Sequence, residues 1–323
     1  ATLNATGIVS FTAGGSTVNN GGAAANAVLA ARSSGATINV SGAGSGDFTI
    51  TGGAGADILT GGAGADIITG GGAADTITGG AGADIIDSGA GADIIIITTS
   101  GEADSDVIDG GADSDVLKLS TGSADTFSTD NKLVNVETLQ AHASGSQVVL
   151  TGQTEAFTIT GGASADNITG GSGIDTITGG GAADTITGGA GNDIITVDVG
   201  TDTVLDLGGS SGGETDVVIV NSGATLNATG IVSFTADGST VNNGGAAANA
   251  VLTARSAGAT INVASAGSGD FTITGGAGAD ILTGGGGADI ISGGGEADTI
   301  IGGGEADTIS GGDAVDTITG GGG

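Results

Sequence analysis

The sequence predicts an all-β fold, a right-handed parallel β-solenoid in which tight β-rolls alternate with β-helical rungs. Three observations predict it. Over residues 52–96 a nine-residue unit, Gly-Gly-x-Gly-x-Asp-x-U-x with U a large aliphatic, is written five times without a gap. The 323 residues include 72 Gly and no Pro, Cys, Met, Trp or Tyr, yet 38% are hydrophobic. So little aromatic mass cannot fill a globular core and so much aliphatic mass does not suit disorder, whereas a thin aliphatic stack suits a solenoid. The triplets that end each unit, such as Ile58-Leu59-Thr60 and Thr76-Ile77-Thr78, fit short strands with one side chain pointing inward.

The first six residues of the unit suit a turn, because Gly reaches positive φ without steric cost and lets carbonyls crowd toward one point. Nine residues are too few for a closed loop with two strands, so two units make one coil and every second unit stacks on the same edge, about 4.8 Å above the last. The sixth residue then forms two vertical ladders: Asp57, Asp75 and Asp93 on one edge, Asp66 and Asp84 on the other. Carboxylates at that spacing repel by roughly 0.9 kcal/mol in water and about 3.5 kcal/mol at an effective dielectric of 20. A cation between rungs relieves this. The ligands on offer are carboxylate and carbonyl oxygens; with no Cys and only His142, the chemistry favours Ca²⁺ over zinc or copper. The predicted metal-site residues in this roll are the aspartates above, their first glycines Gly52, Gly61, Gly70 and Gly79, and Asp106 and Asp115 of two altered units.

Taken in order, residues 1–51 read as β-helical rungs, with strand pieces at 8–12, 36–40 and 47–51. Residues 23–32 fit a strand or irregular rung as well as a helix. Phe48 stands where the next unit has Asp57 and is expected to plug the end of the core. The first roll spans 52–118, and 119–160 return to rungs. A second roll follows at 161–196, its site residues being Asp166, Asp175, Asp184 and Asp193 with Gly161, Gly170, Gly179 and Gly188. Residues 197–274 are rungs again, and 275–323 form a third roll with Asp280, Asp289, Asp298, Asp307 and Asp316 and glycines Gly275, Gly284, Gly293 and Gly302. Residues 224–323 duplicate 1–100 without a gap at an offset of 223, the mark of tandem duplication. Some fourth positions depart from Gly, notably Ala73, Ala182, Ala314, Glu296 and Glu305, and the two glutamates could add an oxygen ligand.

Net charge is −32, from 36 acidic against 4 basic residues. That argues against nucleic acid and anionic membrane surfaces as partners, and for a cation-rich setting. No stretch has the length of a membrane span. His142 stands alone and reads as a surface residue; no GxSxG elbow, HExxH motif or phosphate loop is present, so no enzyme is expected. The absence of an initiator Met and a final Gly run that stops inside a unit read as a window cut from a longer protein.

The in-phase GGxGxDxUx units resemble the calcium-binding nonapeptide of RTX (repeats-in-toxin) proteins. The segment from Asp115-Val116-Leu117-Lys118-Leu119 through Phe127 to Asn135-Val136-Glu137-Thr138-Leu139 resembles a pattern of bacterial surface-layer proteins that carry such units. The resemblance implies Ca²⁺ as cofactor, an extracellular or cell-surface location, type I secretion, and a structural role in a surface layer, fibre or adhesin that self-associates. Any link to cell-surface polysaccharide would fall to regions outside this chain. Two other roles stay open: the shaft of an ice- or host-binding adhesin, for which the Thr columns at 76–78, 176–178, 185–187 and 317–319 are the feature, or the folding module of a secreted enzyme.

Overall fold

The computed structural model describes residues 4–13, 27–98, 103–122, 124–208, 214–222, 224–236, 240–242 and 250–322. They fall into two compact units, Ala1–Thr158 and Ile159–Gly323. Each unit is a parallel β-solenoid, a stack of coils whose short strands pair with the coils before and after.

The nine-residue period explains the pairing directly. Two units make a coil, so Ile58–Thr60 lies in register with Thr76–Thr78, and that strand with Ile94–Ile97. On the other side of the coil Phe48–Gly53 pairs with Ile67–Gly72, and that strand with Ile85–Ala90. Position eight of the interior units points inward: Leu59, Ile68, Ile77 and Ile95 have no exposed surface, whereas Ile318 of the last unit is exposed. Each such side chain contributes about 1.5–3 kcal/mol of burial. Its neighbours point outward, and Ile58, Ile67 and Ile85 are exposed. In the first unit these two columns extend downward to Asn4–Ile8 and Ser10–Thr12 and upward to Leu133–Val134 and Thr138–Gln140.

The second unit repeats the scheme. One sheet carries Gly200–Val204, Ala224–Ile231, Ala250–Ala254, Phe271–Thr274, Ile290–Gly294 and Thr308–Gly312, and another carries Ser233–Thr235, Thr260–Asn262, Ile281–Thr283, Thr299–Gly303 and Thr317–Gly321. Where the sequence left helix and strand open, Ala27–Ala31 is a strand and so is its duplicate Ala250–Ala254; residues 14–26 lie outside the described ones. Phe48 and Phe271 are buried at the start of the rolls, each seated on the first coil below an aspartate ladder.

Candidate metal centre

The aspartates form the predicted ladders, and the structure adds how they are held. The carboxylates turn inward, and each takes a hydrogen bond from the backbone of the coil before it. The amide of Asp57 donates to Asp75 Oδ1 at 2.7 Å, Asp75 to Asp93 at 2.7 Å and Asp93 to Asp115 at 2.7 Å. On the other edge Asp66 donates to Asp84 at 2.7 Å and Asp84 to Asp106 at 2.9 Å. The second unit has the same bonds from Asp166 to Asp184, Asp175 to Asp193, Asp280 to Asp298, Asp289 to Asp307 and Asp298 to Asp316. The lowest rungs take their bond from the apolar turn residue beneath: Ala36 and Phe48 in one copy, Ala259 and Phe271 in the other.

The second carboxylate oxygen separates the rungs into two kinds. In the first two units of each roll it accepts an amide four residues earlier: Gly53 to Asp57, Gly62 to Asp66, Gly162 to Asp166, Gly171 to Asp175, Gly276 to Asp280 and Gly285 to Asp289, at 2.6–2.9 Å. In later units the corresponding glycine lies in the left-handed region, as at Gly71 (φ 114°), Gly180 (φ 96°), Gly189 (φ 106°) and Gly294 (φ 113°). There the Oδ2 atoms of Asp75, Asp184, Asp193 and Asp298 are buried without a hydrogen-bond partner. A buried carboxylate oxygen left so is costly unless a proton or cation meets it.

The first glycine of each unit faces that oxygen. A Cβ placed on Gly70 would stand 2.5 Å from Asp75 Oδ2 and 2.3 Å from the carbonyl oxygen of Ser88 in the next coil; on Gly293 it would stand 2.2 Å from Asp298 Oδ2 and 2.3 Å from the Gly311 carbonyl. The same convergence recurs at Gly52, Gly61, Gly161, Gly170, Gly275, Gly284 and Gly302, while Gly79, Gly179 and Gly188 face their own aspartate alone. A carboxylate oxygen and a main-chain oxygen thus point at one spot. Among the described residues no three acidic or His side chains gather to hold a metal by themselves, so an ion here must draw on carbonyls. Ca²⁺ accepts that mixture of ligands with flexible geometry. His142 is taken up with Ser144 and Ser146.

Electrostatics agree. Burial, opposed in part by the donated amides, pushes the carboxyls of Asp66, Asp75, Asp115, Asp184 and Asp289 up to about 6 and that of Asp193 to about 7. Neighbouring ladder carboxylates add to the rise, as Asp93 and Asp57 do for Asp75. A wall that resists its own ionisation favours a divalent cation at neutral pH.

At the fourth position Ala73, Ala182, Glu296, Glu305 and Ala314 adopt φ of 55–74°, conformations that favour Gly. Glu296 and Glu305 are exposed there. Three ladder residues were missed in the sequence, one in phase with the repeat and two out of phase with it. Asp202 accepts the Asp184 amide at 2.9 Å, Asp216 the Asp193 amide at 2.9 Å, and Glu137 the Asp115 amide at 2.8 Å. Asp202 had a signal in Gly200, Asp202 and Val204, the fourth, sixth and eighth positions of a degenerate unit at 197–205. The other two follow coils of irregular length.

The comparison with curated proteins found no match. A family model for the RTX calcium-binding nonapeptide repeat matches residues 43–77, 61–95, 100–123, 158–177, 169–204, 256–291, 265–300 and 292–323. Those segments cover more than half of the chain and coincide with the glycine turns and inward aspartates that form the ladders, so this calcium-binding β-solenoid belongs to the RTX calcium-binding nonapeptide repeat family.

Proposed function

We propose that Ca²⁺ ions sit between successive rungs of the ladders, held by the aspartates and by glycine carbonyls of adjacent coils. On this reading the chain is a structural repeat of an extracellular bacterial surface-layer, fibre or adhesin protein. The observation that carries it is the buried, unpartnered Oδ2 at Asp75, Asp184, Asp193 and Asp298, each facing the first glycine of its unit, with a carbonyl oxygen of the next coil converging on the same spot at Asp75 and Asp298. In a low-calcium cytosol the ladders repel and the glycine-rich turns have nothing to close on. Outside the cell, millimolar calcium lies at the dissociation constants of extracellular calcium modules, about 10⁻⁴–10⁻³ M, and folds the chain. Export by type I secretion in an unfolded form suits that order of events.

The tandem duplication at an offset of 223 supports an array, and the charge of −32 supports calcium as the agent that brings copies together. No helix of the described residues is long and apolar enough to cross a membrane. The test is a calcium titration followed by circular dichroism and light scattering, with electron microscopy of the product. β-Structure that forms only with calcium, followed by growth in particle size, is the expected course. β-Structure unchanged after removal of divalent ions would refute the folding role. A monomer at millimolar calcium would refute the assembly role and leave a solitary shaft or secretion module.

A further inference from the structure

The ladders do not stop where the nonapeptides stop. Residues 124–157 and 205–255 lie outside the matched repeats, yet each region returns an acidic residue to the ladder it follows. Asp115 is fully buried, its Oδ2 has no partner, and its amide donates to Glu137 Oε2 at 2.8 Å. A Cβ on Gly110 would stand 2.8 Å from Asp115 Oδ2 and 2.0 Å from the carbonyl oxygen of Asn135. At Gly52 the corresponding distances are 2.6 Å to Asp57 Oδ2 and 2.0 Å to the Gly70 carbonyl. Asn135 therefore does the work of a first glycine. It aims its carbonyl by adopting φ 53°, a left-handed conformation steadied by the bond from its Nδ2 to Asp109 Oδ1 at 2.8 Å.

The second unit reaches the same end by another route. Asp193 is 1% exposed and its Oδ2 has no partner. Its amide donates to Asp216 Oδ1 at 2.9 Å, and Gly208 fixes Asp216 through Oδ2 at 2.6 Å. The Gly188 and Gly189 amides donate to the two oxygens of Asp206 at 2.9 and 3.0 Å, whereas the equivalent amide of Gly170 donates to the Thr187 carbonyl. A side-chain carboxylate has replaced a strand carbonyl, which adds negative charge beside the orphaned oxygen.

We propose that these two ladders are each closed by a calcium site that is half nonapeptide and half not: Asp115 with the Asn135 carbonyl and Glu137, and Asp193 with Asp216, Asp206 positioning the glycine turn. Two irregular coils of different sequence each return an acidic side chain to the rung after a buried, unpartnered carboxylate oxygen, and at Asp115 the Asn135 carbonyl converges on the same spot. The ligand class is a hard divalent cation that takes carboxylates and carbonyls together.

This inference rests on the reading that the ladder aspartates bind calcium, and the experiment separates the two. Calcium bound per full-length chain is counted by native mass spectrometry in wild type, Glu137→Gln, Asp216→Asn, the interior ladder variant Asp75→Asn and the outward-facing Asp87→Asn. Glu137→Gln and Asp216→Asn are each expected to lose one ion and their double variant two, with Asp87→Asn unchanged and Asp75→Asn reduced. If Asp75→Asn loses ions while both end variants keep the full count, the inference is overturned and the ladder reading stands. A full count in Asp75→Asn removes both. Should an end variant fail to fold in calcium, Glu137→Asp and Asp216→Glu keep the carboxylate; a last ion bound more weakly than in wild type supports the proposal, and unaltered binding overturns it.

Discussion

Removing calcium should reverse the sign of the protein's pH dependence. In the metal-free fold, burial raises Asp66, Asp75 and Asp115 of the first unit, and Asp184 and Asp289 of the second, from 3.8 to about 6, and Asp193 to about 7. The folded values exceed the unfolded one, so the contribution is fully present below pH 3.8 and is lost as pH rises through 6 to 7. A carboxyl held charged at pH 7.5 despite a shift of that size costs about 3 kcal/mol before screening, and about 1 kcal/mol once solvent near the thin wall is allowed for. With three such groups in each unit, about 3 kcal/mol is removed from a net stability of about 5–15 kcal/mol. With calcium present the order inverts, because protons compete with the ion for the same oxygens. The assay is circular dichroism between pH 5 and 7.5, on protein stripped of divalent ions and on protein in millimolar calcium, with thermal unfolding wherever β-structure is present. β-Structure in the stripped protein should be present toward pH 5 and lost toward pH 7.5, while the melting temperature in calcium should rise with pH. Stripped protein whose β-structure is independent of pH, or grows as pH rises, refutes the account of the ladders.

Further outcomes follow from the packing. Gly70→Ala and Gly293→Ala drive a Cβ against Asp Oδ2 and the next coil's carbonyl, so each should cost about 3 kcal/mol and shift the calcium midpoint of folding upward; Gly320→Ala, whose Cβ meets nothing within 4 Å, should change neither. Ala73→Gly and Ala182→Gly relieve left-handed residues at φ 65° and 74° and should raise stability by about 0.5–1 kcal/mol in denaturant titrations, the lost strain outweighing the added freedom of the unfolded chain. Phe271→Ala empties a site that is 1% exposed and should cost about 3 kcal/mol, seen as a lower melting temperature in calcium.

The spacing of the sequence carried much of this site. A period of nine with aliphatics at position eight leaves a short strand one inward residue, which fixed Leu59, Ile68 and Ile77 in the core and aligned Asp57, Asp75 and Asp93 on one edge. What it could not carry depends on place in the stack. The hexapeptide GGAGAD at 52–57 and at 79–84 is the same, yet Gly53 bonds Asp57 whereas Gly80 turns to φ 113°. The difference comes from what lies one coil below. Under Asp57 is the rung at Ala36, and under Asp84 is another glycine turn, whose Gly62 carbonyl a Cβ on Gly80 would meet at 2.0 Å. Glu137 and Asp216 were hidden for a related reason. Their ladder bonds span 22 and 23 residues, because insertions bulge from the turns while the strands keep their register.

These particulars explain why calcium can govern the fold. The strands of a coil bury only a narrow aliphatic column, and its turns bury main-chain and carboxylate oxygens instead of apolar surface. Glycine makes those turns possible and also makes the unfolded chain unusually free, so the turns need a partner that rewards crowded oxygens. A hydrophobic residue at the sixth position supplies none, which is why Phe48 and Phe271 occur only beneath the first aspartate of a ladder, donating an amide upward to Asp66 and Asp289. From that rung onward each carboxylate is oriented by the coil before it and presents an oxygen toward the coil after it. Order would therefore propagate along the ladder, and on the proposed function a cation at one rung fixes the turn that the next rung needs. On the same reading the solenoid folds as far as its ladders run, so Glu137 and Asp216, which accept the last ladder amides of Asp115 and Asp193, bear on its stability although they lie outside the repeats.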